Sequence, residues 1–512
     1  MRTDILSPSL AYGSVLPLLI VFGGALVGVL VEAFLPARSR RMTQIVVTVL
    51  SLLGALAAVV WLAGTRELVF ADAIAVDGVT LFLQGTLAVL GVVAVLLLSE
   101  RSLDASGGAV VAQAAVLPGS REDVALAEAT EVQTEIYPLA LFSLGGMMLF
   151  PAANNLLLMF IALEVLSLPL YLMAGLARRR RLLSQEAAVK YFLLGAFASA
   201  FFLYGVALIY GYAGSVDLNE VLSTTRVAQD NEALLFAGFA LLAVGLLFKV
   251  GAVPFQAWTP DVYQGSPTPV TALMAACTKI AAFGALLRVV YVGFGTAEWD
   301  WRPMMWVIAI LTMVVGALLA VTQNDVKRML AYSAVAHTGF LLVGVIALSQ
   351  DGLSSTLFYL VAYGFTTLAS FAVVTLVRDS SGEATHLAQW AGLGRKSPLL
   401  ALTFAFLLFA LAGIPLTSGF MAKFAVFTAA VDSGATALVV VGVVTSAVTA
   451  FFYARVVVLM FFSEPAPGGP TVAVPSAYTA FAIAIGVVVT GVLGVFPQPV
   501  LELAERAARF VV

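Results

Sequence analysis

Long apolar runs alternate with short polar breaks along almost the whole chain. About 20 helical residues cross a hydrocarbon layer roughly 30 Å thick. Runs of that order are predicted near 14–35, 43–63, 79–99, 136–153, 154–176, 186–212, 233–262, 266–292, 303–323, 328–349, 353–377, 398–431, 436–462 and 475–496. The pattern predicts an all-α, polytopic membrane protein with about fourteen transmembrane helices. The opening MRTDILSPSLAYG has little basic character and leads into a full-length run, so Val15 to Leu35 reads as a retained helix rather than a cleaved leader. Ser102 to Glu135 is Ala/Gly-rich with scattered acids and reads as a long loop. Val500 to Phe510 fits a short amphipathic helix lying on the membrane surface.

Two of the runs carry Gly and Pro inside them. One reads Leu247-Phe-Lys-Val-Gly-Ala-Val-Pro-Phe255, the other Leu411-Ala-Gly-Ile-Pro-Leu-Thr-Ser-Gly-Phe-Met-Ala-Lys423. Proline lacks a backbone donor and clashes with the preceding turn, so both helices are expected to be interrupted, each with a lysine beside the break. Interrupted helices at corresponding positions of two halves point to a transport site. The expected organisation is therefore 1–135 as three helices and the long loop, 136–297 as a five-helix repeat, 298–463 as a second, inverted five-helix repeat, and 464–512 as the last helix and tail.

Composition agrees with a lipid solvent. Of 512 residues, 61% are hydrophobic and 11% charged, with mean hydropathy +1.03; soluble domains carry about 25% charged residues. A net charge of −3 and no basic patch with interleaved aromatics argue against a nucleic-acid partner. One Cys and two His exclude an internal disulfide and supply no ligand set for haem, an iron–sulfur cluster or structural zinc. No phosphate loop, nucleophile elbow or His-Glu-x-x-His motif occurs. Lys and Arg concentrate in the loops after odd-numbered spans (Arg38, Arg40, Arg41, Arg101, Arg121, Arg178 to Arg181, Lys327, Arg328, Arg378, Arg395, Lys396), against Arg66, Arg226 and Arg302 in the others. The positive-inside rule then places both termini on the outer side.

The few ionisable residues inside the spans carry the chemistry. Glu164, Lys190, Lys249, Lys279 and Lys423 all fall within apolar runs. A charge at the bilayer centre costs about 2.5–3.5 kcal/mol on insertion scales, so such groups face a partner or water and by default mark an ion path. Glu164 precedes the Arg178–Arg181 turn by about 15 residues and Lys190 follows it by about 10; at 1.5 Å per residue their heights differ by roughly 7 Å, within reach of a flexible lysine. The pair reads either as a static bridge between two helices or as a switch. The other three lysines outnumber the intramembrane carboxylates, which favours the switch. A charge at about 6 Å in an effective dielectric near 20 is worth about 2.8 kcal/mol, close to the 2.3 kcal/mol needed to move a proton against 100 mV. His337, among Tyr332, Ser333 and Thr338, suits a proton relay and equally suits a satisfied packing role. His386 lies in a charged loop and reads as surface.

Phe248-Lys-Val-Gly-Ala-Val-Pro-Phe-Gln-Ala-Trp-Thr-Pro-Asp-Val-Tyr-Gln-Gly-Ser-Pro-Thr-Pro-Val270 and Lys327-Arg-Met-Leu-Ala-Tyr-Ser-Ala-Val-Ala-His337 resemble the antiporter-like membrane subunits of respiratory complex I. The Asp261-Val-Tyr-Gln-Gly-Ser-Pro267 run is most similar to the N type. The resemblance implies a proton-translocating subunit of NADH:quinone oxidoreductase with Glu164, Lys190, Lys249, Lys279 and Lys423 as its proton-handling residues. Lys423 stands where the M type has a glutamate, and Gln256 stands where many relatives have histidine. It further implies that NADH, flavin, iron–sulfur clusters and quinone are handled by partner subunits, that the partners are other membrane subunits including neighbouring antiporter-like ones, and that the chain lies in a bacterial plasma (inner) membrane. A subunit of a multisubunit cation/proton antiporter shares the core pattern and is the alternative; a purely structural membrane scaffold is a third.

Overall fold

The computed structural model describes residues 11–103, 108–111, 116–117, 119–128, 133–226, 232–379, 382–465 and 469–511. The opening ten residues, and with them most of the segment read as having no leader character, lie outside the described residues, as do parts of the 102–135 loop. Among the described residues twelve helices are long and apolar enough to cross a membrane, from Leu16–Phe34 to Ala477–Val495, and Ile136–Ala152 and Pro398–Ala412 are shorter apolar helices. The protein is thus an all-α polytopic membrane protein. Sheet is confined to two small pieces: a hairpin of Glu67–Val69 with Ile74–Val76, and Val377–Asp379 paired on either side with Gly382–Glu383 and Thr471–Val472.

Both expected interruptions are present. The seventh run stops at Val250, where Gly251 takes a left-handed φ of 74°, and resumes as Trp258–Gly265. The twelfth stops at Ala412, where Gly413 has φ 85°, and resumes as Ser418–Asp432. Glycine adopts this C-terminal conformation without the Cβ penalty. Inside a membrane the freed backbone groups must find partners. At the first break they do: Trp258 Nε1 donates to Phe248 O at 2.9 Å, the Val253 N–H donates to Thr312 Oγ1 at 3.0 Å, and Thr338 Oγ1 donates to Val250 O at 2.7 Å.

Three helices form the enclosed centre: Thr268–Gly293, Val326–Ala347 and Gln350–Val374, nearly all of whose apolar windows are buried. The first contains two π turns, Met274–Thr278 and Val289–Gly293, flanking the α-helical Lys279–Arg288. Outer helices such as Ala37–Trp61 and Arg181–Ala213 bury about a third of their windows and turn Leu50, Val60, Leu193, Phe197 and Tyr204 outward, as lipid or partner subunits require. Small residues let helices approach closely. A Cβ on Gly205 would stand 2.5 Å from Leu242 N and 2.7 Å from Gly238 O, so Arg181–Ala213 and Glu232–Val250 touch backbone to backbone.

Within the long 102–135 segment, Arg121–Glu128 is helical rather than loop; its Ala, Glu and Leu content favours helix over the extended chain that the surrounding Gly suggests. The amphipathic C-terminal helix is Gln498–Ala507. Beyond it Phe510 lies over the Arg288 guanidinium at 4.9 Å, and the Val511 N–H donates to Asp77 Oδ2 at 3.2 Å. Asp77 and Arg288 are a fully buried ion pair at 2.8 Å, and Asp77 also caps Gly78–Leu98 through the Thr80 N–H.

Candidate functional site

Lys249, Lys279 and Lys423 are all buried, each held by hydroxyls or carbonyls. Lys249 occupies the last turn before the first break and is 3% exposed. Its Nζ donates to Ser167 Oγ at 2.6 Å and lies 5.7 Å from the Tyr171 ring and 5.3 Å from the Tyr191 ring. Ser167 in turn donates to Leu163 O. Glu164 stands one turn from Ser167 on the same helix, Leu156–Ala174. Its charge acts on Lys249 and on the Tyr171 hydroxyl, while its Oε1 is buried without a hydrogen-bond partner.

Lys279 comes next in the chain. It follows the first π turn directly, and such turns are frequent at functional sites. Its Nζ donates to Ala334 O and, at 2.6 Å, to Thr338 Oγ1, with the Tyr363 ring 5.0 Å away. The Thr338 hydroxyl donates its own hydrogen bond to the carbonyl of Val250, the residue after Lys249. One hydroxyl thereby joins the first break to the central lysine.

His337, beside Thr338, is 2% exposed. Its Nδ1 is 2.8 Å from Tyr359 Oη, and its Nε2 has no partner. It lies within the field of both Lys279 and Lys423 and faces the Leu411 carbonyl. Lys423 donates to that same Leu411 O at 3.2 Å, to Ala412 O at 2.8 Å and to Ser446 Oγ at 2.9 Å, and it stands over the Phe340 ring at 4.6 Å. Its carbonyl partners are the last ones of Pro398–Ala412, the negative end of an interrupted helix, which favours a cation.

Among the described residues no carboxylate lies within 4 Å of Lys249, Lys279 or Lys423. Hydroxyls, carbonyls and aromatic faces hold their ammonium groups instead. Each amine has one hydroxyl partner, Ser167, Thr338 or Ser446, and a hydroxyl can both donate and accept.

Lys190 stands apart from these three. The expected pair with Glu164 is not formed. Lys190 Nζ is bound to Asp261 Oδ2 and to Glu186 Oε1, each at 2.6 Å, with its side chain 41% exposed. The height estimate ignored the angle around the helix. On Arg181–Ala213 the next residue, Tyr191, is fully buried, stacked on Trp258 at 4.7 Å and turned toward Lys249. One residue is about 100° of rotation, which aims Lys190 at the short Trp258–Gly265 helix. Asp261 there also accepts from Arg328 Nη1 at 2.6 Å.

Several of these residues were not singled out from sequence. Ser167 lies three residues after Glu164, a spacing that puts both on one helix face. Asp261 and Arg328 lie in the two quoted motifs. Thr338, Tyr359, Tyr363 and Ser446 carry no signal distinguishing them from other membrane-helix hydroxyls. His386 caps a short Leu387–Trp390 turn through Ala388 N at 3.3 Å, a surface role as expected.

Comparison with known proteins identifies the family. Residues 153–449 match the model of the family described as NADH:quinone oxidoreductase/Mrp antiporter, TM. The chain is 62% identical over 504 residues to NADH-quinone oxidoreductase subunit N of Parafrankia sp. (strain EAN1pec), covering 98% of this chain and 96% of that one. It is 60% identical to the subunit N of Rhodococcus opacus (strain B4), covering 98% and 97%. Among solved structures, a chain of respiratory complex I from Thermus thermophilus with bound aureothin shares 34% identity at a TM-score of 0.77, over 96% of this chain and 99% of that one. A chain of the Mrp complex from Dietzia sp. DQ12-45-1b reaches a TM-score of 0.81 at 24% identity, over 98% and 97%, a likeness of fold.

Proposed function

We infer the function from one premise: the chain belongs to the NADH:quinone oxidoreductase/Mrp antiporter membrane family, in its subunit N branch. It is a multi-pass, proton-translocating membrane subunit of a translocase complex. In our reading Glu164, Lys249, Lys279, His337 and Lys423 form the path along which protons move, and Lys190 sets the charge at its Glu164 end. The observation that supports this is the shared lining of the buried amines: Thr338 bonds Lys279 and also the Val250 carbonyl next to Lys249, and Lys423 bonds the Leu411 carbonyl that His337 faces.

Each transfer needs a proton to leave one amine and reach the next acceptor. Thr338 accepts from Lys279 and donates to Val250 O; rotation of its O–H would turn that hydrogen toward a Lys279 that has given up its proton. Ser446 serves Lys423 in the same way, and Tyr359 serves His337. The energy comes from outside the chain: quinone reduction in partner subunits, which bind NADH, flavin, iron–sulfur clusters and quinone, displaces charge that Glu164 passes to Lys249. In this reading 136–297 and 298–463 are two inverted repeats around the path, flanked by 1–135 and 464–512. The chain lies in a bacterial plasma membrane beside other antiporter-like subunits, with both termini outside. Identity of 62% to subunit N, against 24% to the Mrp chain, supports the oxidoreductase reading over a cation/proton antiporter.

Lys249→Ala in the assembled complex tests it. Proton pumping per NADH oxidised is expected to fall while assembly persists; normal pumping from a fully assembled complex refutes the path.

A further inference from the structure

The apolar helix Thr436–Phe462 carries one charge that the proton path does not use. Arg455 is exposed on its outer side. Its Nη1 donates to Val321 O at 3.0 Å and its Nη2 to Asn324 Oδ1 at 3.3 Å. Among the described residues no carboxylate lies within 4 Å of it. Those two bonds use fewer than half of the guanidinium's N–H donors. A charge in an apolar run calls for a partner, and most of this one is still open to whatever the protein faces.

The guanidinium stands at one end of a groove. Leu318 and Val321 of Glu298–Val321, with Val443, Val444, Val448 and Phe451 of Thr436–Phe462, line an almost wholly apolar trough of about 880 Å³, the size of a small-ligand site. Leu318, Val443, Val444 and Phe451 are each more than half exposed. Val444, Val448, Phe451 and Arg455 follow at spacings of three and four, so they share one face of the helix. Helical side chains lean toward the helix start, which brings the guanidinium back over Phe451, and the bond to Val321 O holds it there. That carbonyl belongs to the last turn of Glu298–Val321, where the neighbouring span ends. From Val444 to Arg455 is about 16 Å along the helix, roughly half of a 30 Å hydrocarbon layer. The groove is one leaflet deep, apolar toward the membrane centre and cationic at the edge.

We propose that this groove seats one anionic phospholipid of the surrounding membrane, an acyl chain along Val444, Val448 and Phe451 and the headgroup phosphate on Arg455. Phosphate oxygens take the open guanidinium donors in charge-assisted bonds. A helix of a partner subunit in the same place would have to bring a carboxylate to Arg455 or bury its donors unmet. A phospholipid satisfies both ends of the groove at once. On the orientation read from the Lys- and Arg-rich loops this end is cytoplasmic, the side on which basic groups between spans suit anionic headgroups. The site is independent of the proton path and needs only the chain's place in a membrane.

The test uses the purified whole complex in phosphatidylcholine vesicles carrying a trace of phosphatidylglycerol with a diazirine in its acyl chain. Parallel vesicles carry the same diazirine on phosphatidylcholine. After illumination, labelling of the stretch 443–451 is read by mass spectrometry and normalised to complex content. The phosphatidylglycerol probe is expected to label it about fivefold more than the phosphatidylcholine probe, the scale of one basic group at an anionic surface, and Arg455→Gln to bring that ratio below about twofold. Glutamine keeps an N–H donor for Val321 O, so the helix contact survives the change. Equal labelling by the two probes, or a ratio that persists in Arg455→Gln, overturns the proposal. So does the absence of labelling by either probe, which shows a partner subunit in the groove. Where Arg455→Gln does not assemble, Val448→Trp serves, since it fills the groove and leaves Arg455 in place. Labelling by phosphatidylglycerol is then expected to fall to the level of phosphatidylcholine, and unchanged labelling overturns the proposal.

Discussion

Replacing Thr338 by valine removes one hydroxyl from the proposed path and little else. Valine keeps the branched shape, so the space at this fully buried position stays filled. Three contacts disappear: the one from Lys279 Nζ at 2.6 Å, the one to Val250 O at 2.7 Å and a weaker one to Ala334 O at 3.1 Å. A bond to a charged group contributes about 1.5–3 kcal/mol. If the Lys279–Thr338 contact must form for a proton to pass between the first break and the central lysine, losing it slows that step roughly ten- to hundredfold. The neutral bond to Val250 O adds about 0.5–1.5 kcal/mol of local stability, too little to prevent assembly. The assay is proton uptake by inverted vesicles, normalised to NADH oxidation and to complex content. Thr48→Val is the control, since Thr48 is equally buried but its hydroxyl has no partner, and pumping there is expected to stay normal. Full pumping by Thr338→Val in an assembled complex refutes this path as the proton's route between Lys249 and Lys279.

Other expectations concern the frame. Arg288→Met strands Asp77 in a dry site and is expected to cost about 3–5 kcal/mol, read as a lower unfolding temperature of the detergent-solubilised complex. Gly205→Val places a side chain within 2.5 Å of Leu242 N and is expected to abolish assembly on native gels, whereas Gly23→Val, in a helix with open space at its Cβ, assembles. Burial works to raise the Glu100 carboxyl, but bonds from Ser476 and Ser102 outweigh it and hold it at about 2, below the ordinary 4.5. A depressed carboxyl stabilises the fold above its unfolded value and loses that contribution as pH falls toward its folded one. Protection of the amides near Ser476, taken relative to the intrinsic exchange rate at each pH, is therefore expected to fall between about pH 4.5 and about 2, and Glu100→Gln to remove that step.

Much of the frame was legible because lipid imposes simple rules. Length and hydropathy marked the spans, and Gly251 with Pro254, and Gly413 with Pro415, marked both interruptions. Intramembrane lysines stood out by their cost, and Lys249, Lys279 and Lys423 are all buried. Lys190 shows where such reasoning stops. Height along a helix follows from counting residues, but the direction a side chain points depends on which face its helix buries, and the packing of Tyr191 settled that. Hydroxyl partners were illegible for another reason: Ser and Thr satisfy their own helix carbonyls throughout, as Ser370 and Thr356 do, so only the fold separates Ser167 and Thr338 from the rest. The π turns, too, leave no mark in composition.

Those π turns decide where along the chain a lost residue can be absorbed. Each accommodates one residue more than an α-helix needs over the same stretch. Deleting a single residue from Met274–Thr278 would let the turn relax to α geometry while Thr268–Leu273 and Lys279–Arg288 keep their faces, so the loss is absorbed on the spot. The same loss within Val326–Ala347, which has no such turn, would rotate one part about 100° against the other. Arg328 could then keep Asp261, or Thr338 could keep Lys279, but not both.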